Sequence, residues 1–213
     1  MAVFIDISMS LDGYVAGPNA TLEEPLGEGG EQLHEWVVRL EAWRKPHGHE
    51  GGETGPDGDL FEATLNRIGA VIMGRRMFSG GEGSWADDPR ADGWWGDNPP
   101  FHVPVFVLTH HERQPLEMEG GTTFHFVTDG IESALEQARA AAGDKDVSIA
   151  GGADADQQYL RAGLVDDVTL HIAPVLLGSG VSLFGDLGTD LRLRLTNAFE
   201  APHAAHLQYE VEP

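Results

Sequence analysis

The chain has no cysteine, which excludes disulfides, zinc–thiolate sites and thiol catalysis and fits a reducing compartment. Positive charge is scarce. Thirteen Lys and Arg stand against 35 Asp and Glu, for a formal net charge of −22, and lysine occurs only at Lys45 and Lys145. Such a surface repels nucleic acid and anionic membrane, so neither is expected as a partner. Long apolar runs are missing too, and the chain enters Ala2-Val3-Phe4-Ile5-Asp6-Ile7 without a basic segment before it. That reads as a first strand rather than a signal peptide, with no membrane span and a cytoplasmic location as the expectation. The G-x-G-x-x-G fingerprint is absent, which removes an ordinary Rossmann dinucleotide fold. The paired histidines at His47/His49, His110/His111 and His203/His206 lie in three separate segments. They offer no coherent ligand set, so no metal is expected.

What is present is an ordinary globular composition, 41% hydrophobic and 23% charged over 213 residues, enough for a sizeable core. Without a repeat, a low-complexity tract or a linker, one domain over 1–213 is expected. Residues 2–8 alternate as a strand, and Ser10-Leu11-Asp12-Gly13 reads as a turn. Leu33, Trp36, Val37, Leu40 and Trp43 keep helical spacing over about 31–44. A second helix is expected to open at Asp59 and run to about Ile68, and a short one follows Gly74. Ala70–Met73, Val103–Thr109, Thr123–Val127 and Val147–Ala150 are short apolar runs of the kind buried on both faces of a parallel sheet. Helices are expected at Ile131–Ala142 and Ala153–Ala162, then a strand over Asp167–Ala173. The alternation in 191–195 and 205–211 predicts a closing antiparallel hairpin. The pattern is α/β, a mixed sheet flanked by helices. The segments 47–58 and 79–102 read as long loops, the second carrying Trp85, Trp94 and Trp95 as candidate substrate walls.

Ligands of open α/β sheets gather beyond the carboxyl ends of strands, and three such ends here suit a phosphorylated cofactor. At Met73-Gly74-Arg75-Arg76, a glycine permits close approach, a helix start offers N–H groups and two arginines supply charge. Arg75-Arg76 is the only adjacent arginine pair in the chain. Leu108-Thr109-His110-His111 brings a hydroxyl and two imidazoles. Ala150-Gly151-Gly152-Ala153 brings backbone donors at a helix start. Each alone also fits an ordinary turn or surface residue. Gly178-Ser179-Gly180 reads as a turn, or as a wall of the site.

In order along the chain stand Ser10-Leu11-Asp12-Gly13-Tyr14-Val15-Ala16-Gly17, Val71-Ile72-Met73-Gly74-Arg75-Arg76-Met77-Phe78, Val105-Phe106-Val107-Leu108-Thr109, Ile149-Ala150-Gly151-Gly152 and His171-Ile172-Ala173-Pro174-Val175-Leu176-Leu177-Gly178-Ser179-Gly180. This series resembles the dihydrofolate reductase-like fold, most closely the reductase domain of the riboflavin-biosynthesis deaminase–reductase, the RibD C-terminal family. The resemblance implies a three-layer fold with a mixed, mostly parallel sheet, and NADPH as cofactor. It implies the 2′-phosphate near Arg75, Arg76, Thr109 and His110, with Gly74 giving the close approach. The pyrophosphate would lie over Gly151, Gly152 and Ala153, and the nicotinamide against Val15, Ala16 and Gly17. A homodimer is implied as well.

Hydride transfer needs the nicotinamide held against an electrophilic carbon, water excluded, and a proton source. By the resemblance Asp59 is the candidate carboxylate for protonation; by position it also reads as a helix N-cap. Leu170 stands before His171 where the folate pattern expects a hydroxyl. No deaminase motif is possible without cysteine. The expected activity is therefore that of a stand-alone, NADPH-dependent reductase of a small heterocycle, of the 5-amino-6-(5-phosphoribosylamino)uracil reductase type. A dihydrofolate or pteridine reductase and a non-catalytic NADPH-binding protein are the alternatives.

Overall fold

A computed structural model describes residues 1–212 other than Glu82, Asp186, Thr189 and Asp190. The elements run β1 Val3–Ser10, β2 Tyr14–Ala16, α1 Glu35–Val38, α2 Glu41–Arg44 and α3 Pro56–Arg67. Then come β3 Ile68–Gly74, α4 Arg75–Ser79, β4 Pro104–Leu108, β5 Leu116–Glu117, β6 Thr123–Val127 and α5 Ile131–Ala142. The remainder is β7 Asp146–Gly151, α6 Ala153–Arg161, β8 Asp167–Ala173, β9 Val181–Ser182, β10 Arg192–Glu200 and β11 Ala205–Glu212. Apart from β2 and β9, which pair separately, the strands belong to a mixed, mostly parallel sheet with flanking helices and a C-terminal antiparallel hairpin. No helix among the described residues is long and apolar enough to cross a membrane.

Contacts divide the chain into two compact units. Met1–Ile5 with Ile68–Val165 form the first, Asp6–Arg67 with Asp166–Pro213 the second.

In the first unit the strand order is β1-β7-β3-β4-β6-β5, parallel except for β5. Parallel central strands are covered on both faces, which is why β3, β4 and β7 read as continuous apolar runs rather than alternating ones. Val71, Met73, Val105, Val107 and Phe124 pack with Phe78 in one core cluster. Helix α5 has the bounds its periodicity implied and buries Ala134, Leu135, Ala138 and Ala142, the i, i+1, i+4, i+8 stripe of a helix with one inward face.

In the second unit β8, β11 and β10 form an antiparallel ladder, and β2 pairs with β9. Trp36, Val37, Leu40 and Ala204 form its apolar cluster. Two expectations need correction here. The helix expected over 31–44 is a 3₁₀ turn at Gly30–His34 followed by α1 and α2. The break falls at Leu40, which is extended (φ −69°, ψ 139°) because the backbone around it pairs with Glu53: Glu53 N donates to Arg39 O and Glu41 N to Glu53 O. A tertiary hydrogen-bond pair thus overrides a helical pattern of side chains. The second helix opens at Pro56, not Asp59. Proline suits the first helical turn, where its missing N–H costs nothing. Asp59 therefore lies inside the helix, its N–H donating to Gly55 O at 2.9 Å, and is not the N-cap.

Candidate functional site

The three strand-end turns singled out in the first unit lie side by side on adjacent strands of its sheet. Strand β3 lies between β7 and β4, with Met73 opposite Gly151 and Gly74 opposite Leu108. The position a Cβ would take on Gly74 is 3.8 Å from Gly152 N and 3.9 Å from Gly151 O. Two consecutive strand-to-helix turns therefore sit backbone to backbone, with Thr109 at the end of the next strand. Gly152 precedes α6 as its N-cap with no side chain capping the helix, and Ala155 and Asp156 N–H both donate to Gly152 O. Gly152 is exposed and has open space where a side chain would stand.

The two arginines take different roles. Arg75 is buried, and its Nη2 lies 2.5 Å from Asp88 Oδ2, itself 1% exposed. Ser79 Oγ donates to the same oxygen at 2.7 Å. The guanidinium lies 3.2 Å from the centroid of the Trp85 ring, a cation–π arrangement, and its Nε and Nη1 have no partner. Arg75 is thus an internal strut whose charge Asp88 already neutralises. Arg76 is exposed at the next position. Trp85 meets Phe78 and Phe126 edge to face, and its Nε1 donates to His111 O at 2.8 Å. This ring closes the edge of the first unit's core and holds the 109–111 turn. Thr109 is buried and its Oγ1 accepts from His111 N at 3.2 Å, while His110 is exposed.

Beneath the diglycine lies a group the sequence reading passed over. Asp156 is fully buried, neither carboxylate oxygen has a partner, and Oδ2 is 3.4 Å from the Cβ position of Gly151. Burial pushes its pKa well above the ordinary carboxylate range, because removing the anion from water is not offset by any donor.

In the second unit, Val15 is buried and Ala16 and Gly17 follow it into the loop after β2. A Cβ on Gly17 would overlap Glu28 O, and one on Gly180 would overlap Ala16 O. The backbones of 16–17, 28 and 180 are therefore in direct contact, and only glycine fits. Asp12 fastens the same region: its carboxylate accepts from Ser10 Oγ at 2.6 Å, Leu177 N at 3.1 Å and Gly178 N at 2.7 Å. The Ser10 hydrogen bond is the main cause of its lowered pKa. Gly178-Ser179-Gly180 is the turn between β8 and β9.

Asp59 is exposed on α3, whereas Asp57 two residues earlier is buried. The buried polar cluster of this unit gathers on three strands. Asp6 of β1 accepts from His171 of β8, Nε2 to Oδ1 at 2.8 Å, and from Thr64 of α3, Oγ1 to Oδ2 at 3.2 Å. His171 Nδ1 lies 2.7 Å from His206 Nδ1 on β11. Trp36 covers both imidazoles, with centroids 4.4 Å from His171 and 5.1 Å from His206, and Trp36 Nε1 donates to Ser8 Oγ. Sequence reasoning missed this cluster, although β1 carried a signal, one ionisable residue inside the apolar run Val3-Phe4-Ile5-Asp6-Ile7. Among the described residues no group of three or more His, Asp or Glu is arranged to hold a metal ion.

Known proteins bear on this arrangement. The uncharacterized protein YyaP of Bacillus subtilis is 23% identical over 206 residues, covering 92% of this chain and 86% of its own. A putative riboflavin biosynthesis protein from Shewanella sp. PV-4 superposes with a TM-score of 0.63 at 23% identity, covering 100% of both chains. RibD of Acinetobacter baumannii superposes at 0.55 with 19% identity, over 99% of this chain and 58% of that one. The model of the RibD C-terminal domain family matches residues 1–207, and the chain belongs to that family.

Proposed function

We propose that the protein is an NADPH-dependent reductase of a small nitrogen heterocycle, of the kind that acts in riboflavin biosynthesis. The observation that carries this reading is the alignment of the Gly74, Thr109 and Gly151-Gly152 turns on adjacent parallel strand ends. Diglycine backbone and the uncapped start of α6 suit a pyrophosphate, since N–H groups and the helix dipole both favour an anion there. Exposed Arg76 and His110, with Thr109, are the groups that would meet the 2′-phosphate; Arg75 holds the turn through Asp88 and Trp85 rather than reaching outward. Val15, Ala16 and Gly17 are proposed for the nicotinamide, where small side chains would let the ring come close. NADPH, when bound, supplies the hydride. The chain's own part is to hold the cofactor, exclude water and furnish a proton to the reduced substrate. Asp59, exposed on α3, is the residue proposed for that last role. A cytoplasmic homodimer belongs to the same reading.

The test is mutational. Arg76→Ala should weaken NADPH at least tenfold in a fluorescence titration and leave NADH within about twofold, because only NADPH carries the 2′-phosphate; a tenfold effect is about 1.4 kcal/mol. Equal losses for both would place Arg76 elsewhere. Cofactor binding without oxidation of NADPH by pterins, aminouracils or quinones would favour a non-catalytic binding protein.

A further inference from the structure

Asp156 stands in the first turn of α6, yet makes none of the bonds a carboxylate makes there. A side-chain oxygen at a helix start ordinarily accepts from a free N–H and meets the positive end of the dipole. Asp154, two residues earlier, is exposed and accepts from Gln158 Nε2 at 2.8 Å. Asp156 instead turns inward, fully buried, with Oδ2 3.4 Å from the Cβ position of Gly151. Met77 Sδ lies 3.8 Å from that same position, and a thioether donates no hydrogen bond. Among the described residues Asp156 is the one buried carboxyl with no partner at either oxygen. An unpaired buried acid weakens the fold wherever it ionises, so neither capping nor packing accounts for it.

The turn above this carboxyl is the one suited to an anion: no side chain caps α6, and Gly152 is exposed with open space at its Cβ position. A carboxyl beneath such a turn governs its electrostatics. Neutral, it leaves the positive helix end to an incoming anion; ionised, it cancels that end and repels the anion. We propose that the Asp156 carboxyl is a working part of the diglycine site, which takes the pyrophosphate of a dinucleotide while the carboxyl carries its proton and rejects it once the proton is lost. This rests on the cofactor reading above and adds a proton-linked gate to it. The acid O–H ionises to a carboxylate, its proton goes to solvent, and no bond to the ligand forms or breaks.

A bound anion favours the protonated acid, so affinity is full at low pH and falls once the free site begins to ionise. Burial is the cause that holds the proton on. The charged groups of the neighbouring elements are engaged elsewhere or exposed. On α6 itself, Arg161 donates to Gln157 Oε1 and the Tyr159 phenol to Ile131 O; Glu132, at the start of α5, is exposed. Strand β3 has no ionisable side chain. The one on β7, Asp146, accepts from Ala2 N at the opposite end of the strand from the diglycine. On α4, Arg75 is neutralised by Asp88 and Arg76 is exposed.

The experiment compares the wild type with Asp156→Asn, an isostere that never ionises, by fluorescence titration with NADPH and with NADH. Between about pH 6 and about pH 9 the ratio of wild-type to variant Kd should rise at least tenfold, since other titrating groups cancel in the ratio. The rise should be the same for NADH, which shares the pyrophosphate and lacks the 2′-phosphate. A flat ratio overturns the gate and leaves the cofactor reading standing. A rise confined to NADPH overturns the assignment to the diglycine. If neither protein binds a dinucleotide at any pH, the cofactor reading falls, and calorimetry with inorganic pyrophosphate decides the gate alone: the same rising ratio supports it, and a flat ratio or no binding overturns it. Infrared difference spectra of the wild type cover the case of a variant that fails to fold. The carbonyl band of the protonated acid should fade as pH rises and return when NADPH is added at that pH; a band that NADPH leaves unchanged overturns the proposal.

Discussion

Replacing Asp156 by Asn should stabilise the protein, and by an amount that grows with pH. The folded carboxyl is fully buried without a partner and its pKa is raised well above 3.8, while in the unfolded chain it ionises at the ordinary value of about 4. Above that pH the unfolded state binds fewer protons than the native state, so native stability falls as pH rises, until the folded pKa is passed. The slope for one group is about 1.4 kcal/mol per pH unit. Asparagine has nearly the same shape and no charge to shed. Its amide leaves a similar unmet hydrogen-bonding demand, so the pH-independent part of the comparison stays small. For a chain of this size each kcal/mol moves Tm by about 2–4 °C. The advantage of Asp156→Asn should therefore widen by about 3–6 °C per pH unit from pH 5 upward, read by thermal melts of both proteins in matched buffers. Other titrating groups cancel in the difference. Melting curves that stay parallel across that range would mean that Asp156 has a donor or is hydrated, and the reasoning would fail.

Asp88→Ala should cost about 3–5 kcal/mol in urea denaturation, since it strands the Arg75 guanidinium in the interior against Trp85. Adding Arg75→Met should recover part of the loss, and no recovery would show that the pair is not coupled. Gly180→Ala should destabilise by at least about 1 kcal/mol, because φ is +140° and the new Cβ overlaps Ala16 O. By contrast Gly58→Ala in α3, with open space at its Cβ, should gain about 0.5–1 kcal/mol from helix propensity; thermal melts of the two side by side check both.

The order of strands and helices was legible in the amino-acid string wherever one local rule spoke without a competitor. Continuous apolar runs marked β3, β4, β6 and β7, the heptad-like stripe marked α5 to the residue, and alternation marked the final hairpin. The turns proposed for the cofactor were legible too, because a glycine or arginine just past a buried strand is a local feature, and the parallel ladder then places consecutive strand ends side by side. Where two local rules competed, partners distant in the chain decided. The helical spacing through Leu40 yielded to a backbone pair with Glu53, whereas the helix start at Pro56 rather than Asp59 follows a local rule, the fit of proline to the first helical turn. With that shift Asp57 rather than Asp59 became the buried carboxylate.

Sequence by itself determined the fold class, since periodicity and glycine placement act within a few residues and need no partner to be read. Only the tertiary structure decided which ionisable side chains lose water and what they meet there. Arg75 finds Asp88 thirteen residues on, and His171 finds Asp6 and His206 at separations of 165 and 35. Burial and charge pairing arise between elements, so their energies are set by contacts that no local pattern encodes.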